Sequence, residues 1–229
     1  MRACVVVFPG SNADAEMIHT LRDVCGAPTT VAWHTDTSLP AGTDLVAIPG
    51  GFAFGDYLRV GAIARFAPVM EEVAEFAHAG GIVLGICNGF QVLCEAGLLP
   101  GALLPNTSLR FIFRQVELEV ASADSPFTGT CSPGERLSIP VKHTTGRFYA
   151  PDEQLTPLEG NDQVLLRYAP GQNPNGSLRD IAGVCNEGRN VFGLMPHPEH
   201  AVDPLTGPTG GMPIFESIRA HVADHALVQ

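Results

Sequence analysis

The sequence is poor in positive charge and has only one lysine, Lys142. Thirteen basic residues face 24 acidic ones, a formal net charge of −11. A field of that sign repels phosphate backbones, which argues against a nucleic-acid partner. No apolar run approaches the ~18–20 residues of a membrane span. Met1-Arg2-Ala3-Cys4-Val5 enters a strand-like run at once and leaves no room for a secretion signal, so the expected location is the cytosol. No pair of cysteines is spaced C-x-x-C, so neither a structural zinc site nor a dithiol redox motif is signalled. No G-x-x-x-x-G-K-[ST] loop is present, and no histidine set has metal-ligand spacing, so no metal is expected. Internal repeats, low-complexity tracts and linkers are also missing.

What remains is an ordinary globular composition, with 229 residues of which 45% are hydrophobic and 16% charged. A chain of this length buries roughly 70–75% of its unfolded surface, enough to cover a sheet on both faces. One domain over residues 1–229 is the expectation.

The first half alternates short β-branched runs with helical patterns. Ala3–Phe8, Thr29–Trp33, Leu45–Ile48 and Ile82–Ile86 read as strands. Ala13–Val24, with Asn12 as its N-cap, Ile63–His78 and Cys87–Gly97 read as helices. Strands apolar on both faces and alternating with helices predict a parallel sheet inside an α/β sandwich. Right-handed crossovers place all strand C-termini along one edge, where ligands bind in such sheets. In the second half Gln115–Val120, Leu137–Val141 and Val164–Tyr168 read as antiparallel strands among long loops. Val191–Met195 returns to the parallel type, and Ile214–Asp224 closes the chain as a helix.

Three motifs carry chemistry. Gly85-Ile86-Cys87-Asn88-Gly89 has the form of a strand–turn–helix elbow with a nucleophile at its centre. Its glycines permit the helix to pack close, and the helix N-terminus favours a thiolate; a buried thiol at an ordinary junction is the rival reading. Met195-Pro196-His197-Pro198-Glu199-His200 follows a strand, and its prolines predict an extended segment with His197 and Glu199 on one face. A carboxylate-oriented imidazole takes the thiol's proton and returns it to a leaving group; His200 would then point away. Pro49-Gly50-Gly51-Phe52 supplies a glycine-rich turn whose N–H, with that of Asn88, would make a two-donor oxyanion hole. A plain or phosphate-cradling turn is its rival.

Cys87-Asn88-Gly89-Phe90-Gln91 resembles the C-x-G-x-Q nucleophile motif of class I (triad) glutamine amidotransferases, Pro49-Gly50-Gly51 their oxyanion strand, and His197-Pro198-Glu199 their H-x-E. Pro9-Gly10-Ser11-Asn12 and the block Phe52-Ala53-Phe54-Gly55-Asp56-Tyr57-Leu58-Arg59 with Gly61-Ala62-Ile63-Ala64 are similar to one branch of that family, the glutaminase subunits of phosphoribosylformylglycinamidine synthases. The likeness runs from residue 3 to about residue 220. It implies a three-layer, flavodoxin-like α/β sandwich with added antiparallel strands. It further implies Cys87 as nucleophile toward glutamine, His197 as base and acid, Glu199 as its orienter, and the N–H groups of Gly51 and Asn88 as oxyanion donors. By the same resemblance Gln91, Asn106, Ser108 and Phe111 belong to the glutamine pocket, and Asp56, Tyr57 and Arg59 to the pocket or a docking surface. No cofactor is implied in this chain; ATP and Mg²⁺ would belong to a large synthetase partner, with a small accessory subunit beside it. Where the family usually carries an A-H-G-E-G-like stretch, this chain has Lys142-His143-Thr144-Thr145-Gly146, without the acid. Three other readings stand beside this one: a class I glutaminase serving another synthetase, a cysteine hydrolase of the same fold without amidotransferase activity, and a catalytically silent binding module. The Gly55–Arg59 block argues against the first, and the pairing of C-x-G-x-Q with H-x-E against the second.

Overall fold

In the computed structural model, which describes residues 1–226, eleven strands are laid out in chain order. The first four are β1 (Ala3–Val7), β2 (Thr29–Trp33), β3 (Leu45–Ile48) and β4 (Ile82–Ile86). The next four are β5 (Ala102–Pro105), β6 (Ile112–Val120), β7 (Arg136–His143) and β8 (Thr145–Tyr149). The last three are β9 (Val164–Tyr168), β10 (Ile181–Cys185) and β11 (Val191–Leu194). The α-helices are α1 (Asp14–His19), α2 (Pro68–His78), α3 (Asn88–Glu95), α4 (Asp152–Gly160) and α5 (Met212–Ala226). Nine strands form one sheet in the order β2-β1-β3-β4-β11-β10-β9-β6-β7, and β5 pairs with β8 in a separate two-stranded sheet. From β2 to β11 every pairing is parallel, and from β11 to β7 every pairing is antiparallel.

The parallel half is apolar for the reason the sequence predicts. Strands β1, β3, β4 and β11 are buried along their whole length, because crossover helices cover both faces. β2, the edge strand, keeps Val31 and Trp33 partly in solvent. Chain order reverses about β1, which sends β2 to one side and β3 to the other. Three neighbouring parallel strands, β3, β4 and β11, then deliver Gly50-Gly51, Cys87 and His197 to one edge.

Several boundaries differ from expectation. The first helix begins at Asp14 with Ala13 as a cap that makes no side-chain bond. Asn12 is not a cap; its N–H and that of Ala13 both donate to Gly50 O, tying this turn to the glycine pair after β3. Beyond His19 the helix widens into a π-turn, Thr20–Val24. The predicted helix 63–78 is broken: Ala64–Phe66 is a short 3₁₀ turn, Ala67 is extended at ψ 139°, and α2 starts at Pro68. Proline ejects its predecessor from the helical region and fits a helix's first position. Strands β5, β8 and β10 and helix α4 were not foreseen in the sequence. Among the described residues no helix is long and apolar enough to cross a membrane.

Candidate active site

The turn between β4 and α3 is strained. Cys87 sits between β4 and α3 at φ 50°, ψ −102°, a region that costs a non-glycine residue on the order of 1–3 kcal/mol. Hydrogen bonds fix it on both sides: its N–H donates to Leu194 O at 2.8 Å, and its carbonyl accepts from Gln91 N at 3.1 Å. The flanking glycines are needed for close approach. A Cβ on Gly85 would stand 2.5 Å from Leu93 Cδ1, and one on Gly89 2.0 Å from Ile48 O. α3 therefore lies directly against β3, with the thiol at its N-terminus, where four backbone N–H groups lack helical partners.

His197 arrives from the end of β11. Its N–H donates to Pro140 O of β7, and its Nδ1 lies 2.6 Å from Glu199 Oε1. Both side chains are essentially inaccessible, at 1% and 0%. Burial disfavours the imidazolium, but the carboxylate of Glu199 and the sulfur of Cys87 outweigh it and hold His197 above its ordinary value. Burial likewise works against the Glu199 carboxylate, and His197 reverses this, so Glu199 is held below its ordinary value. His197 Nε2 has no hydrogen-bond partner; Cys87 is near enough to raise the imidazole's proton affinity, while its Sγ lies 3.9 Å from Lys142 O. A point where a Gly50 Cβ would stand lies 2.6 Å from His197 Cε1 and 3.5 Å from Cys87 Cβ. Gly50 thus keeps clear the space that imidazole and thiol share.

The route to this pairing differs from the extended segment expected. Pro198–His200 form a 3₁₀ turn, with His197 at its start. Because the chain turns, His200 does not point away. Its ring packs edge-on to His197 at 5.4 Å, and its Nε2 is 3.7 Å from Glu199 Oε1 and 2.6 Å from Lys142 Nζ. Burial lowers the affinity of His200 for a proton; the Glu199 carboxylate opposes this and Lys142 adds to it. His197, Glu199 and His200 form the one group of potential metal ligands among the described residues, with ligand atoms within 4.8 Å. In this structure the first two are bonded to each other.

Cys87 and His197 open on a cavity of about 610 Å³, whose lining also includes Gly51, Gln91 and Phe111. Among the described residues, the N–H of Gly51 donates to no protein acceptor, and neither does that of Asn88, the first residue of α3. Asn106 and Ser108 are not in the lining. Asn106 spends all its polar capacity inside the protein: Nδ2 donates to Arg110 O and His143 O, and Oδ1 accepts from Gly146 N and His143 Nδ1. Ser108 is exposed and caps its own turn through Arg110 N. Asp56 and Arg59 line the cavity, whereas Tyr57 projects outward. Arg59 forms a two-pronged bond to Glu95 at 2.6 Å on each arm. Burial pushes the Asp56 carboxyl up to about 6, against the lowering pull of its bond to Asn88.

The divergent stretch forms part of the cavity wall: Lys142 to Thr145 all line it. His143 is buried between Asn106 Oδ1 and Asn175 Nδ2, and burial first, then the neighbouring His197, lowers it to about 4. Sequence reasoning did not find the Lys142–His200 contact or the steric role of Gly50. The Pro49-Gly50-Gly51 motif signalled the latter in principle; nothing local signalled the former.

The sequence matches the CobB/CobQ-like glutamine amidotransferase domain over residues 1–217. Phosphoribosylformylglycinamidine synthase subunit PurQ of Trichormus variabilis is 55% identical over 218 residues, covering 95% of this chain and 96% of that relative. The subunit of the same name from Rubrobacter xylanophilus is 56% identical over 220 residues, covering 96% and 98%. Among solved structures, PurLQS from Thermotoga maritima superposes with a TM-score of 0.88 at 44% identity, covering 96% of this chain and 98% of that one. A putative GMP synthase protein from Thermoplasma acidophilum, at 18% identity and TM-score 0.66, covering 100% and 98%, shares the fold.

Proposed function

The chain belongs to the CobB/CobQ-like glutamine amidotransferase family, and on that premise we propose that it is the glutaminase subunit of a phosphoribosylformylglycinamidine synthase. It hydrolyses the side-chain amide of glutamine and hands the ammonia to a synthetase subunit. The observation that carries the reading is the buried His197–Glu199 pair beside Cys87 at the mouth of a cavity.

In the proposed chemistry the Cys87 thiolate attacks the amide carbon of glutamine, and the C=O electrons move onto oxygen. The N–H groups of Gly51 and Asn88 receive that oxyanion; losing one such donor typically costs ~2.7–4 kcal/mol of barrier. His197, as the imidazolium, protonates the amide nitrogen, the C–N bond breaks, and ammonia leaves behind a γ-glutamyl thioester. Water then attacks the thioester and gives its proton to His197. Collapse of the second tetrahedral species releases glutamate, and the sulfur is restored as the leaving group. Glu199 holds the imidazole in one tautomer and supports its charge. Gln91 and Phe111 line the cavity where the glutamine would sit. The partners are a large synthetase subunit, where ATP and Mg²⁺ would act, and a small accessory subunit.

Cys87→Ala is expected to abolish glutamine-dependent synthesis by the assembled synthase and to leave ammonium-dependent synthesis intact. Equal loss of both activities would overturn the assignment of Cys87 to amide hydrolysis.

A further inference from the structure

A hydrogen-bond chain runs along the cavity floor through the side chains of Asn88, Asp56 and Gln91, and the chemistry above assigns no role to the Asn88 carboxamide or to Asp56. Asn88 Oδ1 accepts the N–H of Ala53 at 2.9 Å. Its Nδ2 donates to Asp56 Oδ1 at 3.2 Å and to Gln91 Oε1 at 2.9 Å. Gln91 Nε2 in turn donates to Thr145 O. The Asn88 carboxamide therefore bridges two backbone segments: the turn after β3 that carries Gly51, and the first residue of α3.

An amide bridges this way only in one orientation. If its oxygen and nitrogen exchanged places, Ala53 N–H would meet a donor and both acceptors would meet an oxygen. The Ala53 N–H and two acceptors together enforce the observed orientation, and Asp56 is the acceptor contributed by the loop itself. That loop is held at a cost. Phe54, Asp56 and Leu58 all have positive φ, at 53°, 55° and 69°, and such backbone persists only where its surroundings over-determine it. Beside the Ala53 N–H bond to Asn88, its own side chains tie it to α3 through Asp56 to Asn88 and Arg59 to Glu95.

We propose that Asp56 is a positioning residue for the amide hydrolysis: by accepting from Asn88 Nδ2 it locks the carboxamide that sets the spacing between the Gly51 and Asn88 N–H donors. It touches neither nucleophile nor base. The inference rests on the glutaminase reading and deepens it.

The test uses the synthase reconstituted with variant subunits. Asp56→Ala should lower the glutamine-dependent kcat by about tenfold or more while KM stays within about threefold, because oxyanion donors act on the transition state. Ammonium-dependent synthesis should be unchanged. The rate at which iodoacetamide inactivates through Cys87 should also be unchanged, since displacement at an sp³ carbon forms no oxyanion. Asp56→Asn, which keeps an acceptor oxygen, should recover most of the lost rate. An unchanged kcat in Asp56→Ala, a loss confined to KM, alkylation slowed in parallel, or an Asp56→Asn variant as impaired as Asp56→Ala would each overturn the proposal. A wild-type subunit that never consumes glutamine would instead sink the reading on which the proposal rests.

Discussion

At the scale of single residues, the site depends on atoms that are missing as much as on those present. Gly50 has no positive φ that demands glycine; what it lacks is a Cβ where His197 Cε1 would be met at 2.6 Å. Gly50→Ala is therefore expected to keep the fold and displace the imidazole, and a shift of about 1 Å can cost ~10²-fold in rate. Retained melting temperature with collapsed glutaminase activity is the result to look for. His143 supports a pH prediction. In the folded protein it stays neutral down to about 4, whereas an unfolded histidine binds a proton near ~6.5. Between those values the unfolded chain holds more protons, so stability falls as pH falls, by on the order of 3 kcal/mol in all. His143→Gln should flatten that acidic slope in denaturant titrations at stepped pH. The residues proposed to carry the chemistry could be named from the sequence because their motifs are local: an elbow, an H-x-E and a glycine pair each span only a few positions. Asn106 shows the limit, since only the fold reveals that its amide is consumed by His143, Gly146 and Arg110.

At the scale of elements, legibility followed apolar content. β2, β3, β4 and β9 fall where their hydrophobic runs predict. Of the missed elements, β5, β8 and α4 draw their stability from elsewhere, whereas β10 is wholly buried and apolar. β5 and β8 are short, contain Pro105 and Gly146, and exist by pairing with each other across a register shift. α4 contains Pro157 and buries only Leu155 and Leu158, so proline obscured its period. β10 carries Gly183, whose Cβ would strike Gly193 O at 2.7 Å and which sits at a register shift against β9. The packing of α3 on β3 yields a prediction of its own. Gly89→Ala places a methyl 2.0 Å from Ile48 O and must push the helix outward. Overpacking of this kind costs about 1–3 kcal/mol, and the same displacement carries Cys87 with it. Thermal stability and the rate of Cys87 alkylation should change together.

At the scale of the whole molecule, the parallel and antiparallel halves share one continuous nine-stranded sheet, and no composition break in the sequence divides them. We expect one cooperative unfolding transition. Trp33, the sole tryptophan, lies on the edge strand β2 at one end of that sheet. Its fluorescence should therefore report the same midpoint as far-ultraviolet circular dichroism, which averages over every element. Separate midpoints would mean that the halves are independent units. The strand order adds a last consequence. β11 lies between β4 on its parallel side and β10 on its antiparallel side, so the strand that presents the histidine is also the seam joining the two halves. A nascent chain that has emerged only through Cys87 carries that thiol on an unfinished sheet, with no histidine yet beside it. If His197 serves Cys87 as proposed, their pairing should be lost in the same single transition that unfolds the sheet.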